Sequence, residues 1–162
     1  MSAILKDTVP QLRPMREHDL ARVVAVEQRS YEFPWSMGIF ADCLRVGYCC
    51  WVFADGDRVC GHGIMAVAAD EAHVLNLCVD PDYRRRGLAR LLLGHLLSVA
   101  SDHQAQIVFL EVRPSNSGAI ELYHQTGFSQ IAVRRGYYPA TGGREDALVL
   151  GKTLRPPEPA DR

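Results

Sequence analysis

Val79-Asp80-Pro81-Asp82-Tyr83-Arg84-Arg85-Arg86-Gly87-Leu88-Ala89-Arg90 is the stretch in which an apolar strand gives way to a helix. Pro81 cannot donate to a β-ladder and so ends the strand. From Gly87 to about Ser101, Leu88, Leu91, Leu92, Leu96 and Val99 recur at helical spacing, and Arg90, Ser98 and Ser101 leave only a narrow polar stripe, so the helix is expected to be largely buried. A helix start leaves about four backbone N–H groups unpaired and carries partial positive charge, which suits it to a phosphate. Gly87 and Ala89 keep the backbone open to a pyrophosphate, where a β-branched residue would hold it away. Arg84, Arg85, Arg86 and Arg90 add charge-assisted hydrogen bonds. The same residues also fit a solvated basic turn before an ordinary helix. A nucleotide P-loop is excluded because no Gly-Lys-Ser/Thr follows, and a dinucleotide fingerprint would need GxGxxG after the first strand of a βαβ unit.

N-terminal to this junction, residues 11–15 read as a short strand and 17–30 as a helix with Leu20, Val23, Val24 and Glu27 at helical spacing. Pro34 breaks that helix, and Ser36 caps a second one running to about Leu44. Residues 49–54 and 58–67 are apolar runs joined by Asp55-Gly56-Asp57, a hairpin signal, and a third antiparallel strand over 73–79 follows a turn at Asp70-Glu71. On the C-terminal side, 107–112 is nearly continuously apolar, as expected for a central strand covered on both faces. A helix over 117–126 ends at Gly127, and strands over 128–134 and 146–152 flank a connection rich in Tyr, Pro and Gly. This order predicts a mixed α/β sheet of about seven strands flanked by about four helices. One domain is expected over residues 1–154, with a disordered tail over 155–162 that contains Pro156, Pro157 and Pro159.

The 162 residues are 48% hydrophobic and 23% charged, inside the globular range. A net charge of −1 supplies no global field for nucleic acid or an anionic membrane, so neither is expected as a partner. No apolar run is long enough to cross a bilayer and residues 1–11 lack a signal-peptide layout, so the expected location is the cytoplasm. Cys43, Cys49, Cys50, Cys60 and Cys78 lack CxxC spacing and read as reduced core thiols. The six histidines pair with no Cys, Asp or Glu at zinc-site spacing, and no metal is expected.

Glu111 is the one carboxylate in the apolar run 107–112, and Tyr123 follows on the next helix. Each has two readings. Glu111 is a strand-end residue reaching water or a general base; Tyr123 is a core aromatic with a satisfied hydroxyl or a general acid. A base in this place takes a proton more readily from an α-amino group (pKa about 7.7 to 8.0) than from lysine (about 10.4).

Arg84-Arg85-Arg86-Gly87-Leu88-Ala89 resembles the Gln/Arg-x-x-Gly-x-Gly/Ala motif of the GCN5-related N-acetyltransferases, the GNAT family, over residues 10–153. The resemblance implies the GNAT fold and acetyl-CoA as cosubstrate. It implies that the backbone of Arg85, Arg86, Gly87, Leu88, Ala89 and Arg90 holds the pyrophosphate, while the strand Leu77-Cys78-Val79 pairs with the pantetheine arm. More narrowly, the stretch from Leu110 to Tyr123 is similar to the RimI type, as are Phe33-Pro34-Trp35-Ser36, Arg134-Arg135-Gly136-Tyr137-Tyr138-Pro139 and Gly143-Arg144-Glu145-Asp146-Ala147. Those bacterial enzymes acetylate the N-terminal alanine of the eighteenth small-subunit ribosomal protein. This similarity implies Glu111 as general base, Tyr123 as general acid and Asn116 as a coenzyme contact, with direct transfer in a ternary complex to a protein N-terminus. Two alternatives stand beside it: a small-molecule amine or internal lysine as acceptor, and a non-catalytic acyl-CoA sensor built on the same cradle.

Overall fold

Alternating apolar runs and turn residues set out seven strands and four helices in the computed structural model, which describes residues 9–155. In chain order these are β1 (Gln11–Pro14), α1 (Leu20–Ser30), α2 (Met37–Arg45), β2 (Cys49–Asp55), β3 (Arg58–Ala68), β4 (Glu71–Val79), α3 (Leu88–Asp102), β5 (Ile107–Val112), α4 (Ser117–Gln125), β6 (Ser129–Ala140) and β7 (Gly143–Thr153). The strands form one sheet in the order β1-β2-β3-β4-β5-β7-β6. β1 pairs antiparallel with β2, β5 lies parallel to β4, and β7 runs antiparallel to both β5 and β6. The mixed sheet expected from the order of elements is therefore present. The described chain groups into two compact units, one running up to Ile64 and resuming over Asn76–Leu92, the other made of Met65–Leu75 and the chain from Leu93 onward.

In the first unit, Ser36 caps α2 through an oxygen that accepts from Ile39 N at 3.3 Å. Gly56, at φ +62°, makes the β2–β3 turn that the Asp-Gly pair signals. Phe53, Cys60, Tyr83, Leu88 and Leu92 pack together as a buried cluster. The helix expected over 17–30 starts as a 3-10 turn, Glu17–Asp19, because Asp19 turns back to accept from Arg16 N at 2.8 Å. Val26 takes the inner place expected for Val24, which is half-buried.

Two expectations along the second half are corrected. Leu91 is 60% exposed, and Leu93 and Ala100 are buried with Leu92 and Leu96 in its place. At about 100° per residue, Leu91 falls beyond Leu88 on the water side of α3. β5 is not covered on both faces: Val108, Leu110 and Val112 are buried, while Ile107, Phe109 and Glu111 on the opposite face are half-buried. Alternation of this kind marks a strand with one face in the core.

The connection expected after Arg134 is itself strand. β6 continues to Ala140 and returns through Thr141 and Gly142 into β7, with a break in register between Arg134 and Tyr138. Gly136 sits in that break at φ +58°, its N–H donating to Asp146 Oδ1 at 2.8 Å. At the end of α4, Gly127 adopts φ +99° as the cap expected there, and a side chain on it would run into Lys152 Nζ. Arg155 donates to Ser101 O at 2.9 Å, and the rest of the proline-rich tail, 156–162, lies outside the described residues. All five cysteines are free thiols, four of them buried and Cys49 half-buried.

Candidate active site

The junction that decides the fold is built from a buried aspartate outward. Asp80 N donates to Cys60 O at 2.8 Å as β4 ends. The carboxylate of Asp80 then caps the 3-10 turn Pro81–Tyr83, with Oδ1 accepting from Asp82 N at 2.9 Å. Past the turn, Arg84 is extended, Arg85 and Gly87 are left-handed at φ +64° and +76°, and α3 starts at Leu88. Left-handed residues in a turn point successive N–H groups into one concavity, which attracts an anion. For Arg85 that conformation costs about 1–2 kcal/mol, strain of a kind that collects at binding sites. Gly87 adopts it freely, and a Cβ there would meet no atom within 4 Å, so the space above the backbone is open. The geometry suits a pyrophosphate held by amides at a helix N-terminus.

The cofactor residues expected on this segment contribute differently. The Leu88 side chain belongs to the core, leaving its amide for the junction. Arg84, Arg85, Arg86 and Arg90 are exposed and Ala89 is half-buried. Arg86 lies over the Tyr83 ring at 4.8 Å. Leu77, Cys78 and Val79 lie past the last β4–β5 pair, Val74 with Leu110. Leu77 O accepts from the Tyr31 hydroxyl at 2.8 Å. Burial pushes the Cys78 thiol up to about 12, so its sulfur stays protonated at neutral pH and is no nucleophile. Asn116 is the N-cap of α4, with Oδ1 accepting from Ala119 N at 3.3 Å.

Glu111 is 9% exposed by side chain, and both of its oxygens are engaged. Oε2 lies 2.5 Å from His73 Nε2, and Oε1 lies 3.4 Å from Arg134 Nη1. Burial alone would raise its pKa, but the hydrogen bond and the electrostatic pull of His73, followed by those of Arg134, outweigh it and hold the carboxyl below the ordinary value. Tyr123 is 7% exposed and packs edge-on to Phe128 at 5.9 Å. Burial pushes its phenol up to about 12. Burial, and then the charge of Glu111, hold the Tyr138 phenol far above the ordinary range. Arg113 lies over the Tyr138 ring at 4.4 Å and Arg134 over Tyr137 at 4.3 Å. Of the aromatics in the two loop segments, Tyr31, Phe33 and Tyr137 are exposed and lie outside the core.

Two groups of functional type were not foreseen. His73 carries no sequence signal, because its place beside Glu111 depends on the parallel register of β4 and β5. Glu27 had a signal, a carboxylate among apolar helix positions. It is buried and accepts from His62 Nε2 at 3.1 Å, from Asn76 Nδ2 at 3.1 Å and from Trp35 N at 3.0 Å. Glu27, His62 and Cys78 also bring ligand-type atoms within 4.8 Å of one another. Both carboxylate oxygens there are already taken up by protein donors. Among the described residues, no helix is long and apolar enough to cross a membrane.

The family model described as "Acetyltransferase (GNAT) family" matches residues 13–128. The ribosomal protein bS18-alanine N-acetyltransferase of Escherichia coli (strain K12) is 41% identical over 132 residues, which cover 82% of this chain and 89% of that protein. The Haemophilus influenzae protein of the same name is 34% identical over 133 residues, 82% of this chain and 90% of its own length. The crystal structure of the ribosomal-protein-S18-alanine N-acetyltransferase from Escherichia coli superposes with a TM-score of 0.87 at 35% identity, covering 95% of this chain and 99% of that one.

Proposed function

This chain belongs to the acetyltransferase (GNAT) family, and from that premise we propose that it carries an acetyl group from acetyl-CoA directly to the N-terminal α-amino group of a protein, the N-terminal alanine of small-subunit ribosomal protein bS18. The reading is supported by the bS18-alanine acetyltransferases it resembles and by a lone, ionised carboxylate, Glu111, on an otherwise apolar strand. Acetyl-CoA supplies an activated thioester. The amides from Arg85 to Arg90 hold its pyrophosphate, the backbone of Leu77, Cys78 and Val79 pairs with its pantetheine arm, and Asn116 touches the coenzyme. The acceptor is a cytoplasmic protein terminus.

Glu111 takes the proton from the incoming ammonium group, directly or through water. With a carboxyl below the ordinary range it is a weak base, which favours an α-amino group over a lysine, whose proton is held about 2.5 pKa units more tightly. Tyr123 is protonated at every working pH. Passing its proton completely to a thiolate, with a thiol pKa of about 8.5, would be uphill by about 5 kcal/mol from a phenol at about 12. Its donation therefore acts while charge is developing on sulfur.

The test is a comparison of two peptides, one beginning with the bS18 alanine and one with a blocked N-terminus and free lysines. Only the first is acetylated; equal rates would sink the specificity. Glu111→Gln lowers turnover by about 10² to 10⁴-fold, whereas a sensor would have no turnover to lose.

A further inference from the structure

In the parallel pairing of β4 and β5, His73 stands opposite Phe109, so the two side chains leave the sheet on the face that Glu111 shares. The imidazole stacks on the Phe109 ring at 4.3 Å with an interplanar angle of 23°. From that seat, Nε2 reaches Glu111 Oε2 at 2.5 Å. A carboxylate oxygen can only accept, so a contact of this length places a hydrogen on Nε2. Among the described residues, Arg134 and Tyr138 from β6 also act on the carboxylate, and Val149, opposite it on β7, brings no charge.

We propose that His73 is the positioning residue for Glu111: its Nε2–H fixes the carboxylate in one rotamer through Oε2 and leaves Oε1 as the oxygen that receives the proton of the amine. This rests on the reading of Glu111 as the base. In the step itself, the electron pair of the breaking ammonium N–H bond forms the N–C bond at the thioester carbonyl, the C–S bond breaks with a second amine proton ending on the departing coenzyme sulfur, and the first proton is held in an O–H bond at Oε1. The proton then passes to solvent, and His73 keeps its Nε2–H throughout. The partly exposed Arg134, at 3.4 Å, is the looser grip and can swing away from Oε1. Without His73, burial would weigh more heavily at Glu111, so the acid form, which cannot accept the amine proton, would persist to higher pH.

The test is a pair of variants with kcat followed against pH. His73→Phe keeps a ring to stack on Phe109 and removes the donor; His73→Gln keeps a donor. His73→Phe is expected to lower kcat about ten-fold and to move the acid limb of the profile up by about one pH unit, with KM for both substrates within about two-fold. His73→Gln recovers most of kcat and part of the limb. A His73→Phe enzyme with the wild-type kcat and acid limb overturns the proposal. If that variant does not fold, ¹⁵N NMR of the wild-type imidazole decides: a proton on Nε2 supports the assignment and a bare Nε2 overturns it. Full activity in Glu111→Gln would instead remove the base itself, whereas a dead Glu111→Gln beside an unaffected His73→Phe would remove only the role of His73.

Discussion

Arg29 donates through Nη1 to Asp80 Oδ2 at 2.9 Å, tying the last turn of α1 to the residue at which β4 ends and the anion cradle begins. Asp80 is buried, whereas Arg29 is 47% exposed. Removing Asp80 therefore leaves a cation that can turn to water, and the cost falls below the 3–5 kcal/mol of stranding a fully buried charge. The loss includes the cap on the turn before Arg84, and Asp80→Ala is expected to destabilise by about 2 kcal/mol. Because that turn sets the left-handed Arg85 and Gly87, KM for acetyl-CoA rises as well, by about ten-fold. Chemical denaturation and steady-state kinetics read the two effects; an unchanged KM would detach the cap from the cradle.

Glu27 calls for a larger penalty. Its carboxylate satisfies His62, Asn76 and the Trp35 amide, all held inside the first unit. Glu27→Leu leaves those donors buried without a partner, at about 1–3 kcal/mol for each that finds no other, so a loss of about 3 kcal/mol or more is expected. Glu27→Gln keeps an acceptor oxygen and should recover a good part of it. Because Trp35 N is one of the donors, the Phe33-Pro34-Trp35-Ser36 loop should loosen too, visible as a change in tryptophan fluorescence before global unfolding. Equal melting temperatures for the two variants would contradict this account.

Legibility in the sequence followed locality. The strand–turn–helix at residues 79–90 could be read because Pro81 and Gly87 act on their own backbone, and Glu111 because one charge in an apolar run is conspicuous without any partner. The inner face of α3 was misjudged at Leu91 because six leucines and a valine, spread around the helix, leave the phase of its apolar face poorly defined. His73 could not be read at all, and Tyr138 only as one residue of the Arg134–Pro139 segment. The first depends on a parallel register set across the whole of α3, and the second on a break in the β6–β7 ladder that turns an apparent loop into strand. The exposed Arg134 and Tyr137 in that hairpin pair as a cation over a ring, so hydrophobic periodicity carries no trace of them.

Asp19 sets an acid limit on stability. Arg13 grips both of its oxygens, at 2.7 Å and 2.8 Å, and Arg16 N adds a third bond at 2.8 Å. The Arg13 hydrogen bond comes first among the causes that hold its carboxyl below the ordinary value. A folded-state pKa below the unfolded one means stability that is fully present above about 3.9. It is lost as pH falls through the lower folded-state value. Arg13→Ala should therefore be less stable than the wild type at neutral pH, with the gap closing below about pH 4. Thermal melts across that range measure it, and a gap that stays constant would place the contribution of Arg13 in packing.

Tyr123 tests the alkaline side and the proposed chemistry in one variant. Its phenol is held at about 12 by burial, against about 10 in an unfolded chain. A folded pKa above the unfolded one gives stability that is intact below pH 10 and lost as pH rises toward 12, because only the unfolded state can then ionise. Two pKa units set that loss at about 3 kcal/mol. Tyr123→Phe has no such group, so the difference in stability between wild type and variant should shift by that amount in favour of the variant between about pH 10 and 12. Taking the difference cancels the other thiols and phenols whose pKa burial raises, among them Cys43, Cys50, Cys60, Cys78, Tyr83 and Tyr138, which both proteins share. At neutral pH the same variant should fold, bind acetyl-CoA and lose kcat by about 10² to 10⁴-fold with little change in KM. A variant that shows the alkaline shift but turns over at the wild-type rate would leave Tyr123 as a core aromatic, and the thiolate would then depart without a proton from this residue.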